Sequence, residues 1–272
     1  MTVQGLTTTK GDGSVHDFAP AQAIPEFRLT AQALSQDEEW FEIKIDGNWQ
    51  RRRLHDYHEL YSVPGLYEAL FNKTLKTSSP LRVVNVLVDV MSDTDILPEK
   101  LRVLDLGAGS GMVGHELQNH NVELCVGADI IPEAQEATLR DRPWCYDDYV
   151  VADFTDLDAR VAEKVRNYKL NALTCVAALG FGDIPAKAFL TAIDLIEAPG
   201  YVAFNIKEDF VQERDTSGFA DLIRELARHD VLHMQAYRRY QHRISCAGEP
   251  LYYIAMVATK DRAVPAEMLL SM

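Results

Sequence analysis

The stretch VLDLGAGSGMVG, Val103 to Gly114, holds the residues best spaced for chemistry. An apolar run ends in Asp105 and Leu106 and passes into a loop with glycine at 107, 109, 111 and 114. A loop of this kind lets backbone approach a ligand without the obstruction of a Cβ. Gly107, Ala108, Gly109 and Gly111 are the expected contacts. Gly109 to Gly114 also spells G-x-G-x-x-G, the loop that seats a pyrophosphate at a helix N-terminus. Asp105 argues against that ligand, because a carboxylate at the strand end repels phosphate and attracts an ammonium group. The expected ligand carries a cation and no pyrophosphate, and Asp105 meets the cation directly or through water.

Further candidates lie on both sides of this loop. Tyr57 and Tyr61 are spaced i, i+4 and share one helical face; they either close over a ligand or pack on the core. Pro64-Gly65 follows as a plausible hinge. His55 and His58 are candidate bases, with exposure or packing as the alternative. No third ligand stands near them, and no metal is expected. Asp183, in GFGDIP, either caps the helix that begins near Pro185 or faces a ligand. Lys207 and Glu208 end a strand at the ligand-binding edge and are candidates for orienting a substrate. His242 and Arg243 receive no role.

Elements must position these groups. Ile43 and Ile45 alternate with Lys44, and Asp46-Gly47 marks a hairpin returning at Trp49. Residues 55–91 read as about three helices broken at Pro64-Gly65 and at Ser78-Ser79-Pro80. From Leu101, strands near Arg102–Leu106, Glu123–Asp129, Tyr149–Ala152, Asn171–Ala177 and Tyr201–Ile206 alternate with helices. Those helices are Gly111–Asn119, Pro132–Arg140, Asp158–Asn167 and Pro185–Glu197. The spacing implies βαβ crossovers and a parallel sheet. A helix at Gly218–His229 and a hairpin, Val231–Ile244 with Leu251–Thr259, finish the sheet antiparallel. The chain thus divides into a flexible tail (1–38), a hairpin with a helical lid (39–100) and a ligand-binding core (101–272).

Composition sets limits on partners. The chain has 272 residues, 47% of them hydrophobic, which is enough for a large core. Its formal net charge of −14 argues against a broad nucleic-acid footprint. The basic stretches QRRRLH (Gln50–His55) and YRRYQHR (Tyr237–Arg243) are either local anion contacts or solvated strand faces. No apolar run is long enough to span a membrane. The polar start lacks the apolar region of a secretory signal, so a cytoplasmic protein is expected. Cys125, Cys145, Cys175 and Cys246 form no CxxC pair and read as reduced thiols.

Taken in order, the motifs resemble those of class I S-adenosylmethionine-dependent methyltransferases over roughly Leu101 to Lys260. VLDLGAGSG is similar to their first motif, and S-adenosylmethionine satisfies the demand for a cation without pyrophosphate. VGADIIPEA resembles the second; the resemblance implies that Asp129 holds the ribose hydroxyls and Ile130 packs on adenine. VVADFTDL resembles the third, which implies that Asp153 accepts from the adenine amino group with Phe154 beside it. LNALTCVAALGFGDIP, including Ala177, corresponds to the fourth strand and its loop facing the acceptor, and APGYVAFNIKE to the fifth. The family often has an acidic residue near the start of strand four, where Asn171 stands here.

The resemblance implies a Rossmann-like methyltransferase fold: a seven-stranded, mostly parallel α/β sheet with an antiparallel C-terminal hairpin. The segment HDYHELYSVPGLYEAL resembles the lid of small-molecule methyltransferases and, loosely, the methyltransferase-like proteins of the Williams–Beuren deletion region. No Asp-Pro-Pro-Tyr or Asn-Pro-Pro-Tyr loop follows strand four. The expected activity is methyl transfer by in-line displacement to a small organic oxygen or nitrogen nucleophile, by a monomer or homodimer. A protein methyltransferase and a non-catalytic S-adenosylmethionine-binding protein are the alternatives.

Overall fold

The computed structural model describes residues 24–270 except 33, 95, 180–182 and 209–217. Before residue 24 it describes only β1 (Thr8–Thr9) and β2 (Val15–His16), which pair antiparallel. Alternating burial from Trp40 onward makes β4 (Trp40–Ile45) and β5 (Asn48–Arg53), joined by a tight turn with positive φ at Asp46 and Gly47. β3 (Phe27–Leu29) adds to β4, so pairing begins inside the segment expected to be a flexible tail. Phe27 and Phe41, edge to face at 6.5 Å, supply the apolar contact that holds β3 there.

The expected lid region splits in two. α1 (Tyr57–Ser62) and a π-helical stretch, Glu68–Thr74, stay with the small sheet. α2 (Ser79–Ser92) instead belongs to the main layer. It carries Pro80 in its first turn and buries Val83, Val84, Leu87, Val90 and Met91, one stripe of its surface. That stripe packs on Val103, Ala203 and Val257 of the large sheet.

The large sheet uses β6 (Arg102–Leu106), β7 (Leu124–Asp129), β8 (Asp148–Val151), β9 (Ala172–Cys175), β10 (Gly200–Lys207), β11 (Leu232–Ile244) and β12 (Pro250–Lys260). Their order is β11-β12-β10-β9-β6-β7-β8. Strands β6 to β10 run parallel, whereas β12 runs antiparallel between β10 and β11. Between the strands run α3 (Met112–Gln118), α4 (Pro132–Asp141), α5 (Ala159–Asn167), α6 (Ala186–Leu195) and α7 (Phe219–Arg228); α8 (Ala266–Leu270) follows β12. This is the expected seven-stranded fold with its antiparallel hairpin. Helices cover both faces, so β6 is apolar on both. Val103 faces α2 and α3, while Leu104 and Leu106 face α6. Asp105 therefore points to the α2/α3 side, buried within the core.

Candidate active site

The glycine loop bends over the end of β7. The amides of Gly107 and Ala108 both donate to the Ala128 carbonyl (2.8 and 3.0 Å), and that of Gly109 donates to the Asp129 carboxylate (2.9 Å). The Gly111 amide donates to the Ala108 carbonyl. Four loop N–H groups are thus taken internally. Gly107 has φ +74°, and a Cβ there would lie 2.9 Å from both Ala178 Cβ and Ile184 Cδ1. Glycine is required at 107 because the β9 loop packs directly on the chain.

Beyond the loop, a cavity of about 380 Å³ opens at the carboxyl ends of β6, β7, β8 and β9. Gly107, Asp129, Ile130, Asp153, Phe154 and Ala177 line it, so four separate strand ends converge there. The Asp129 oxygens accept from the Gly109 and Ile131 amides, which fixes the carboxylate between loop and α4. Burial raises its pKa, and those backbone hydrogen bonds oppose the shift. Ile130 is 58% exposed beside it, an apolar surface open to a ligand. Asp153 accepts from the Thr155 hydroxyl and amide (2.7 Å each), which lowers its pKa.

Tyr57, Tyr61 and Tyr67 close the cavity from the α1 side. Their rings follow one another, Tyr57 stacked on Tyr61 at 6.1 Å and Tyr61 tilted against Tyr67 at 4.9 Å. Arg140 of α4 donates to the Tyr61 carbonyl, and Arg142 pairs with Glu68 while donating to the Ser110 carbonyl. The lid is thereby pinned to the core by two arginines of one helix end. Desolvation pushes the Tyr57 and Tyr61 hydroxyls well above their usual range and Tyr67 to about 12, so all three stay neutral.

At the other end of the cavity, His55 Nδ1 lies 3.2 Å from an Asp183 carboxylate oxygen. Ala177, beside them, holds a left-handed φ of +56°, and its amide donates to Asn205 Oδ1 at 2.6 Å. Asn205 Nδ2 donates to the Ser79 and Tyr240 hydroxyls. A buried polar network under β10 thus holds the turn after β9 in a conformation that costs an alanine about 1–3 kcal/mol.

Several expected contacts lie elsewhere. Asp105 does not line the cavity; its oxygens accept from Thr174 (2.6 Å) and Tyr146 (2.5 Å) hydroxyls. Burial raises its pKa to about 7. A direct meeting with a ligand cation gives way to bracing of the sheet. Ala108, Gly109 and Gly111 are also absent from the lining, because Tyr61 covers the loop at Gly109 and Cys145 backs Gly111. His58 is exposed near Glu59, Glu208 pairs with Arg239 at 3.0 Å, and Lys207 lies off the cavity.

Asn171 accepts from the Arg102 amide (2.8 Å), a purely structural bond. The four cysteines are buried free thiols. In the first basic stretch Arg51 covers Trp40 and Arg53 pairs with Asp56; in the second, Arg243 is buried against Glu39. Tyr67, Thr155 and Ile184 join the lining without having been singled out. Only the tyrosine-rich spelling of the lid signalled Tyr67.

The fold is the Rossmann-like fold of class I S-adenosylmethionine-dependent methyltransferases. The N-methyltransferase NodS of Bradyrhizobium japonicum, solved with S-adenosyl-L-homocysteine, matches 76% of this chain and 97% of its own, with TM-score 0.53 and 12% identity. An S-adenosylmethionine-dependent methyltransferase of Clostridium acetobutylicum matches 72% of this chain and 97% of its own, with TM-score 0.49 and 10% identity. The magnesium protoporphyrin IX methyltransferase of Synechocystis with bound SAH matches 71% and 87%, with TM-score 0.47 and 14% identity. No protein-family model matches the sequence, and no curated protein matches it. Among the described residues no helix is long and apolar enough to cross a membrane.

Proposed function

We propose that this chain is an S-adenosylmethionine-dependent methyltransferase acting on a small organic oxygen or nitrogen nucleophile. The observation that carries this reading is the convergence of Gly107, Asp129, Asp153 and Ala177, from four strand ends, on one cavity. Its volume of about 380 Å³ suits a cofactor of this size. NodS, whose fold this chain shares, was solved with the demethylated cofactor. The residues present fit the group. Asp129, fixed by two backbone amides, would accept from the ribose hydroxyls; Ile130 and Phe154 would border the adenine, and Asp153 would accept from its amino group. Gly107 and Ala177 would hold the methionine half.

S-adenosylmethionine supplies an activated methyl on sulfur, so this chain contributes positioning and water exclusion, which together can supply about 7–11 kcal/mol. Tyr57, Tyr61 and Tyr67 roof the cavity. His55, whose Nδ1 lies 3.2 Å from Asp183, is the candidate base for the proton of an acceptor hydroxyl or ammonium group. The tyrosine roof over the cavity favours a small acceptor over a protein chain, which needs an open groove.

Calorimetry with S-adenosylhomocysteine tests the reading. Binding is expected, and Asp129→Ala should weaken it by about 1.5–3 kcal/mol through loss of charge-assisted hydrogen bonds. Tight NAD binding with no S-adenosyl ligand bound would refute it.

A further inference from the structure

Behind His55 and Tyr57 a second, smaller chamber of about 30 Å³ continues inward from the cavity. The two share His55, Tyr57, Tyr67, Ala177 and Asp183 as walls. The back of the chamber is polar: Gln36, Thr77, His242, Arg243 and Tyr253. These come from the N-terminal segment, the turn before α2, and both strands of the closing hairpin.

Two of these side chains carry a buried atom with no hydrogen-bond partner among the described residues, Gln36 Oε1 and Thr77 Oγ1. Leaving such an atom unsatisfied is costly. The other polar groups have partners. Gln36 Nε2 donates to the Tyr253 hydroxyl at 2.7 Å. Arg243 donates to Glu39 and to the Ile244 carbonyl, so its charge is compensated. His242 bonds Ser79 through Nδ1 and stacks on Tyr253 at 4.2 Å; burial drives its pKa down to about 3, so it is neutral. The open valences are an amide oxygen and a hydroxyl, with the Asp183 carboxylate on a shared wall. All three accept hydrogen bonds, so a donor is wanted. A carboxylate placed here would meet the Asp183 carboxylate and the Gln36 carbonyl oxygen.

Size narrows the choice further. A water needs about 10–15 Å³ on this measure, so the chamber accommodates about two non-hydrogen atoms. We propose that this chamber anchors the methyl acceptor by a compact hydrogen-bond donor, an alcohol or amine end, held on the Gln36 carbonyl and the Thr77 hydroxyl. The proposal rests on the methyltransferase reading above, and it defines the substrate as a molecule with such an end reaching past His55.

The test uses the full chain saturated with S-adenosylhomocysteine, titrated separately with methanol, methylamine and formate. The imidazole resonances of His55 and His242 report occupancy. Saturable shifts are expected with methanol or methylamine and none with formate. Gln36→Leu, which keeps side-chain bulk, should raise the probe's dissociation constant at least tenfold. Thr77→Val provides a second variant should Gln36→Leu fail to fold, since the Thr77 amide still donates to the Phe71 carbonyl. Formate binding as well as the donors, shifts unaffected by either substitution, or no shift with any probe would overturn the proposal, the last leaving a chamber for water alone. S-adenosylhomocysteine binding in the same samples keeps the two readings apart. Its absence sinks the methyltransferase reading, whereas its presence with a silent chamber sinks only the subsite.

Discussion

The Tyr61 hydroxyl rests directly on Gly109: a Cβ added to that glycine would lie 2.5 Å from the phenolic oxygen. Gly109 also has φ +53°, and its carbonyl accepts from Thr138 (2.7 Å) and Tyr149 (3.0 Å) hydroxyls. The loop is locked from below while the lid seals it from above. The glycine thus serves a protein side chain at the place where sequence reasoning put a ligand.

Gly109→Ala should lower stability by about 1–3 kcal/mol from backbone strain alone, and by more through displacement of Tyr61. Adding Tyr61→Ala should recover part of the second loss but none of the first. Denaturant unfolding of the two single variants and the double variant measures this coupling. Additive effects would mean that the hydroxyl and the glycine do not press on each other.

Asp105 links stability to pH. Its folded pKa of about 7 stands above the ordinary carboxylate value, so the folded state holds the proton more tightly. Stabilisation by this group is complete at acid pH and is lost as pH rises from about 4 to about 7, by up to about 1.4 kcal/mol per unit. Asp105→Asn keeps a neutral group between Thr174 and Tyr146. Its melting temperature should therefore gain on wild type as pH rises from 5 to 8. Parallel curves would show that Asp105 does not titrate in this window.

Glu39 and Arg243 form a buried pair at 2.5 Å, both almost wholly inaccessible, and Glu39 also accepts from the Cys246 amide. Glu39→Gln leaves a buried guanidinium uncompensated and should cost about 3–5 kcal/mol. Replacing both partners, by Glu39→Leu with Arg243→Met, should cost less. Urea midpoints decide it, and a single variant as stable as wild type would show that water already reaches Arg243.

His55→Gln should slow methyl transfer by about 10²- to 10⁴-fold if the acceptor must lose a proton. S-adenosylhomocysteine affinity should stay unchanged. Asp183→Asn should give a smaller loss, because it removes orientation of the imidazole and not the base. Incorporation of label from the cofactor into products of a metabolite extract reads both. Unaltered turnover in His55→Gln would assign the histidine to the wall alone.

The large sheet was legible because each strand is an apolar run bounded by turn residues. β6 begins and ends where the spacing places it, at Arg102 and Leu106. The carboxylates Asp129 and Asp153 were legible because they stand at strand ends, where an open sheet binds ligands. β3 was hidden: three residues, Phe27 to Leu29, show no period, and they are held by Phe41 across the pair. The bond from Tyr146 to Asp105 was not legible because Tyr146 lies 41 residues away and its hydroxyl approaches only through tertiary packing. Gln36 was invisible for the same reason, since its partner Tyr253 is 217 residues distant.

The place of β12 has a consequence for synthesis. It is the last strand of the large sheet made, yet it lies inside, pairing with β10 over all eight residues from Gly200 to Lys207. Until residues 250–260 leave the ribosome, β10 offers a free edge of eight mostly apolar residues, a template for pairing with another nascent chain. Chains halted between β11 and β12 should therefore collect in aggregates or on chaperones, while those released after β12 should be soluble.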